Sequence, residues 1–241
     1  MTLPDRPTAA DLRRAYRILR ARNGDLGWWP GRTRLEVIVG AILTQNTAWT
    51  NVERAIAAMR PARLLTVRGL RHARRPDLER AIHASGYFRQ KAQKLKAFLA
   101  LLDGEFGGRL ARMGREPTGR LRERLLATWG IGPETADSIL LYAFDRPVFV
   151  VDAYTQRIAA RHGWAPARTS YASLQRLFTE RLPRSIPLYK DCHAQLVWVG
   201  KHYCRRVPRC SACPLRMLLP TQEAAARSSS TTTPGASPRA R

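Results

Sequence analysis

Residues 125–157 read LLATWGIGPETADSILLYAFDRPVFVVDAYTQR. Leu121, Leu125, Leu126 and Trp129 keep the three- and four-residue spacing of one helix face, and Ala136, Ile139, Leu140 and Ala143 keep that of a second. Between them stands Gly130-Ile131-Gly132-Pro133. Glycines on both sides of one apolar residue permit positive φ and close approach of the backbone to a partner. Proline suits the first turn of a helix. The stretch therefore predicts a helix ending at Trp129, a tight turn and a second helix. The leading N–H groups of that second helix lack intrahelical acceptors and lie at the positive end of its dipole, an arrangement that holds phosphate. A plain helix–helix joint has the same spacing, so the turn alone leaves both readings open.

Working outward, the period stays helical. Leu12, Ala15, Tyr16 and Leu19 form one stripe; Leu35, Ile38, Ala41 and Ile42 another; Val52, Ile56 and Met59 a third. Phe88, Ala92, Leu95, Phe98, Leu99 and Leu102 mark a longer helix, with a break expected at Asp103-Gly104. Later helices are marked by Leu174, Leu177 and Phe178, and by Leu188, Cys192, Leu196 and Val199. Only Pro147–Val151 looks strand-like, and it runs straight into Asp152. The expected fold class is all-α. From about Thr221 the chain reads QEAAARSSSTTTPGASPRAR, which offers nothing apolar to bury and is expected to be disordered.

The 241 residues carry 42 Lys and Arg against 18 Asp and Glu, a net charge of +24. Such an excess favours a polyanionic partner, nucleic acid first. Arginine dominates it, and a GC-rich genome produces the same bias without any binding surface. No apolar run approaches membrane-spanning length, and the polar opening of the chain has no secretory character. A cytoplasmic protein with reduced thiols is expected. Clustered cysteines there more often bind metal than form disulfides. Cys204, Cys210 and Cys213 have metal-ligand spacing, with Arg205, Arg206 and Arg209 between the first two, while Cys192 stands apart on a helix.

Three further features stand out. Trp28-Trp29-Pro30 places two large aromatic rings together, for packing or for a stacked ligand. Gln45-Asn46-Thr47 interrupts an apolar helix with polar side chains suited to capping the next helix. Lys91, Lys94 and Lys96 share one helix, whose cationic face is either solvated or turned to phosphates.

The hairpin at Gly130, the loop Phe144-Asp145-Arg146-Pro147 and the following Asp152 resemble the signature of the endonuclease III (HhH-GPD) superfamily of DNA glycosylases. The resemblance extends over residues 28–213. The WWP element, the run Ile42-Leu43-Thr44-Gln45-Asn46-Thr47 and the hairpin Gly-Ile-Gly-Pro-Glu-Thr-Ala-Asp are similar to its 3-methyladenine branch. The family implies two helical domains with a DNA cleft between them: residues 1–34 with 147–220, and a six-helix domain over 35–146, followed by a tail at 221–241. It implies a monomer that binds double-stranded DNA containing a damaged base, working at the nucleoid.

Several roles follow from that resemblance. Gly130, Ile131, Gly132 and Thr135 would grip the backbone, with Arg205 and Arg206 of the cysteine loop as further DNA contacts. Asn46, an amide able to fill the gap of a flipped base, and Lys91, on the cationic helix face, are candidate DNA contacts by their own chemistry. Gln45 would enter the duplex where the base has left, and Trp28 or Trp29 would stack on the extruded base. Asp152 would stabilise the cationic sugar and orient water, a role compatible with capping the next helix. Lyase-active members carry a lysine where this chain has Glu134. A glutamate forms no imine, so hydrolysis without strand scission is expected. The cofactor implied is a [4Fe–4S] cluster on Cys204, Cys210 and Cys213, but the fourth cysteine, due about five residues after Cys213, is missing. Cys192 is the other thiol in reach of consideration, and a loop that has lost its cluster also fits. The alternatives are an endonuclease III-type glycosylase for oxidised pyrimidines, a mismatch-specific adenine glycosylase, and a non-catalytic hairpin or iron–sulfur protein that binds DNA.

Overall fold

The computed structural model describes residues 8–220, and the tail expected at 221–241 lies outside them. The described chain is all-helical, with no strand among the described residues. In order the helices are α1 (Ala9–Asn23), α2 (Arg34–Leu43), α3 (Trp49–Met59), α4 (Val67–His72), α5 (Arg75–Ala81), α6 (Phe88–Phe106), α7 (Leu110–Met113), α8 (Thr118–Ala127), α9 (Pro133–Ser138), α10 (Ala153–Arg161), α11 (Tyr171–Arg181) and α12 (Ile186–His202). The chain divides into two compact units. Unit I holds residues 8–26, 151–183 and 195–220; unit II holds 27–150 and 184–194.

Unit II is organised around α2. Every residue from Leu35 to Leu43 is buried, so this helix is apolar all round rather than on one stripe, as a central helix must be. It packs on α3, α6 and α9, and on the π-turn Ile139–Ala143 that prolongs α9. Its one internal charge, Glu36, is 4% exposed and is held by Arg60 at 2.5 Å. In unit I, α1 packs on α11 through the stripe Leu12, Ala15 and Leu19. Asn23 Nδ2 donates to Gln195 Oε1 at 2.8 Å, and Gln195 Nε2 donates to the Gly24 carbonyl at 2.9 Å.

Three local expectations are corrected. The helix α6 runs through Asp103-Gly104 and stops at Gly107, which is left-handed at φ 60°. Asp103 is occupied by Arg71 (2.9 Å to Nε), so its carboxylate does not compete for the helix backbone. The first hairpin helix ends at Ala127, and Trp129 is 57% exposed in the turn. Residues 147–151 are extended but have no strand to pair with.

Candidate functional site

In unit II the turn between α8 and α9 takes the shape its glycines suggest. Gly130 has φ +79°, and a Cβ there would meet Lys94 Cγ at 2.5 Å, so both the backbone conformation and the space call for glycine. Ile131 is buried at 4%, Gly132 is the N-cap residue and Pro133 opens α9. Glu134 is exposed in the first helical turn, and Thr135 is buried behind it. Asp137, fully buried, accepts two bonds from Arg122 of α8, at 2.7 and 3.1 Å, which clamps the two hairpin helices together.

The Gln45 segment reaches this turn. Gln45 Nε2 donates to the Gly130 carbonyl at 3.1 Å and to Thr135 Oγ1 at 2.8 Å, while Lys94 Nζ donates to Gln45 Oε1. The structure thus brings Gln45, Gly130 and Thr135 together, with the Gln45 side chain bracing the hairpin rather than projecting from it. Asn46 beside it is exposed and left-handed at φ 53°.

The lysine helix is a correction. Lys91, expected on phosphate, is 2% exposed, and its ammonium donates to the carbonyls of Leu43 (2.9 Å) and Ser85 (2.6 Å). Burial, with the like charge of Lys94, pulls it down to about 8. Lys96 donates to the carbonyls of Leu70 and Ala73 (2.7 and 2.9 Å) around the end of α4. Carbonyl groups at helix ends attract cations, and they use these lysines internally. Lys91→Met is expected to cost about 2 kcal/mol in urea unfolding, because two buried carbonyls lose their donor. The salt dependence of duplex binding should stay unchanged.

Trp28 and Trp29 form a cluster with a third ring that the sequence did not single out. Trp49 lies 5.4 Å from Trp28 and 5.0 Å from Trp29, centroid to centroid, and Tyr142 of the π-turn lies 5.0 Å from Trp29. The Tyr142 hydroxyl is 2.7 Å from His193 Nδ1. Gly40 of α2 makes the room: a Cβ there would stand 3.1 Å from Trp29 Nε1 and 3.4 Å from Trp49. Both Trp28 and Trp29 are half-buried, so the cluster is neither sealed core nor bare surface. Trp49 was legible in principle, since it follows the Gln45 run by four residues. Tyr142, Gly40 and His193 had no sequence signal of their own.

In unit I, Asp152 precedes α10 and caps it. Its Oδ1 accepts from Thr155 N at 2.7 Å and Thr155 Oγ1 at 2.8 Å, and the residue is 9% exposed. The cysteine loop also lies here. Cys204, Cys210 and Cys213 line one cavity together with Arg161, His162, Tyr203, Arg216 and Leu219. Arg161 Nη1 donates to Cys204 Sγ at 3.3 Å and to the Arg205 carbonyl at 2.6 Å, and Nη2 donates to the Arg206 carbonyl, leaving the Arg205 and Arg206 side chains exposed. Among the described residues, no three His, Cys, Asp or Glu side chains converge closely enough for a single metal ion. Cys204, Cys210 and Cys213 share one cavity, and thiolates are the donor type that iron–sulfur clusters take. Cys192 belongs to unit II, where burial pushes its thiol to about 12, the state of a packing residue.

Residues 39–184 match the family described as HhH-GPD superfamily base excision DNA repair protein. A Methanocaldococcus jannaschii protein, MJ1434, whose name assigns it to the DNA repair glycosylases, is 40% identical over 203 residues, covering 83% of this chain and 92% of its own. A trapped covalent endonuclease III–DNA intermediate has a similar fold, with TM-score 0.75 at 20% identity over 92% of this chain and 99% of that one. The H. pylori 3-methyladenine DNA glycosylase bound to 1,N6-ethenoadenine is similar at TM-score 0.68 and 26% identity, over 78% of this chain and 97% of that one.

Proposed function

Since the chain belongs to the HhH-GPD superfamily of base excision DNA repair proteins, we propose that it is a monofunctional DNA glycosylase that removes alkylated purines from double-stranded DNA. That it is a DNA glycosylase of base-excision repair follows from the family itself. The substrate class and the hydrolytic route are this reading's own. The observation that carries it is the cluster of half-buried Trp28, Trp29 and Trp49 against buried Tyr142, in the unit that holds the hairpin. Indole faces attract positive charge, and purines alkylated on a ring nitrogen carry it. Such bases are also good leaving groups, so modest catalysis suffices.

The roles divide between the units. The hairpin would present the Gly130 and Gly132 backbone N–H groups to a phosphate, with Asn46, Arg205 and Arg206 as further contacts. Ile131, expected in that grip, instead donates its N–H to the Thr128 carbonyl at 3.1 Å and buries its side chain. Gln45 would have to exchange its bonds to Gly130 and Thr135 for contacts in the duplex. Asp152 would stabilise the oxocarbenium-like sugar and orient the attacking water. Glu134 is exposed and, lacking an amine, forms no Schiff base. We also assign a [4Fe–4S] group to the cavity of Cys204, Cys210 and Cys213. Bound there, it would cross-link the loop that carries Arg205 and Arg206, and base release does not pass through it. The protein would act as a monomer at the nucleoid. Among the described residues, no helix is long and apolar enough to cross a membrane.

The test is base release from a panel of alkylated, oxidised and mismatched duplexes, with borohydride present in a parallel set. Alkylated purines should be released, with no protein–DNA adduct and no nick before alkali. A borohydride adduct overturns the monofunctional reading. Release of oxidised pyrimidines alone would favour an endonuclease III-type activity.

A further inference from the structure

A cluster in the unit I cavity needs a fourth ligand, and the spacing of the cysteines does not supply one. We propose that His162, through Nε2, is the fourth ligand of a [4Fe–4S] group held by Cys204, Cys210 and Cys213. This rests on the cluster assignment made above.

Four observations converge on it. His162 lines the same cavity as the three thiols. It is held in place: it forms the C-cap of α10, is 8% exposed and packs against Trp164 with ring centroids 5.2 Å apart. Its Nδ1 lies 3.1 Å from the Leu218 carbonyl. A carbonyl only accepts, so Nδ1 carries the proton and Nε2 keeps its lone pair. Metal-binding histidines are oriented in this way, by donating the second ring nitrogen to a carbonyl or carboxylate. Finally, Leu218 stands about where a fourth thiolate is expected after Cys213. That segment provides no sulfur here; it provides the carbonyl that aims His162.

Cys192 does not compete for the place, since it is packed into unit II and lines no part of this cavity. Arg161 on Cys204 Sγ, and Arg216 in the cavity wall, offset the negative charge of three thiolates. A single zinc ion would also accept three cysteines and a histidine. A metal and sulfide assay separates the two, since zinc brings no acid-labile sulfide.

The test starts from intact protein purified anaerobically. Assays should find about four iron and about four acid-labile sulfide per chain, the composition of a [4Fe–4S] group. His162→Ala should lose iron and visible absorbance. His162→Cys should keep iron and sulfide but move the reduction potential downward, since exchanging imidazole for thiolate lowers it. Cys192→Ala should match the parent in both. Parent protein without iron and sulfide, or with zinc alone, overturns the cluster assignment itself. A parent with the cluster, but with unchanged potential in His162→Cys or iron loss in Cys192→Ala, overturns only the assignment of His162. Should His162→Ala fail to fold, the cysteine variant decides.

Discussion

Asp152→Asn is expected to slow release of an alkylated purine by at least about a thousandfold, the scale on which a carboxylate facing a developing cation acts. The substitution separates the two roles of this residue. As a cap, Asp152 uses one oxygen, which accepts from Thr155 N and Thr155 Oγ1. Asparagine offers the same acceptor and caps about as well, so the unfolding free energy should change by less than ~1 kcal/mol. The lost element is the charge, which an amide cannot lend to an oxocarbenium-like sugar. Duplex affinity should hold or rise, because in the proposed complex a negative charge is removed from beside the polyanionic DNA. Asp152→Ala removes the cap as well and should cost about 1 kcal/mol more. Single-turnover base release, urea unfolding and duplex titration on the three proteins check all of this. Normal release by Asp152→Asn would leave the residue as a cap alone and overturn the proposed chemistry.

Arg122→Met should destabilise the protein by about 3 kcal/mol, the range for removing one partner of a buried ion pair. Asp137 is 0% exposed, and Arg122 gives it two parallel bonds from the neighbouring hairpin helix. Without the guanidinium, the carboxylate keeps its desolvation penalty and loses its bidentate partner. The double variant Arg122→Met/Asp137→Leu removes both charges and should recover most of the loss, since an apolar pair of similar volume is often neutral in such a place. Urea midpoints of the two single variants and the double variant close the cycle. A cost below ~1 kcal/mol for Arg122→Met, the value of an exposed pair, would show that the hairpin does not depend on this clamp.

The helical class and most helix faces were legible because amphipathic spacing survives in one sequence. Leu12, Ala15 and Leu19 are the buried face of α1, and Leu174, Leu177 and Phe178 that of α11. The hairpin was legible because its turn depends on glycine chemistry at Gly130, which is local. Misreadings arose where tertiary partners override local preference. Asp103-Gly104 looks like a stop until Arg71 is seen to hold the aspartate. Lys91 looks like a phosphate contact until the carbonyls of Leu43 and Ser85 are found around it. The tryptophan pair was visible, but its neighbours Trp49, Gly40 and Tyr142 lie 11 to 114 residues away along the chain and meet it only in the fold. His162 carried no signal at all, because a histidine after a helix has many ordinary uses and its relation to Leu218 spans 56 residues.

The discontinuity of unit I matters for the order in which the chain is made. Helix α1 leaves the ribosome well before α11, on which it packs, and Asn23 bonds to Gln195, 172 residues later. At about 5–20 residues per second, synthesis of that interval takes on the order of ten to thirty seconds. Until α11 at Tyr171–Arg181 follows within that interval, the apolar face of α1 lacks this partner, while the long 27–150 segment of unit II can already begin to collapse. A helix made well before its partners is thus buried only once they follow, so in unit I sequence order and burial order are uncoupled.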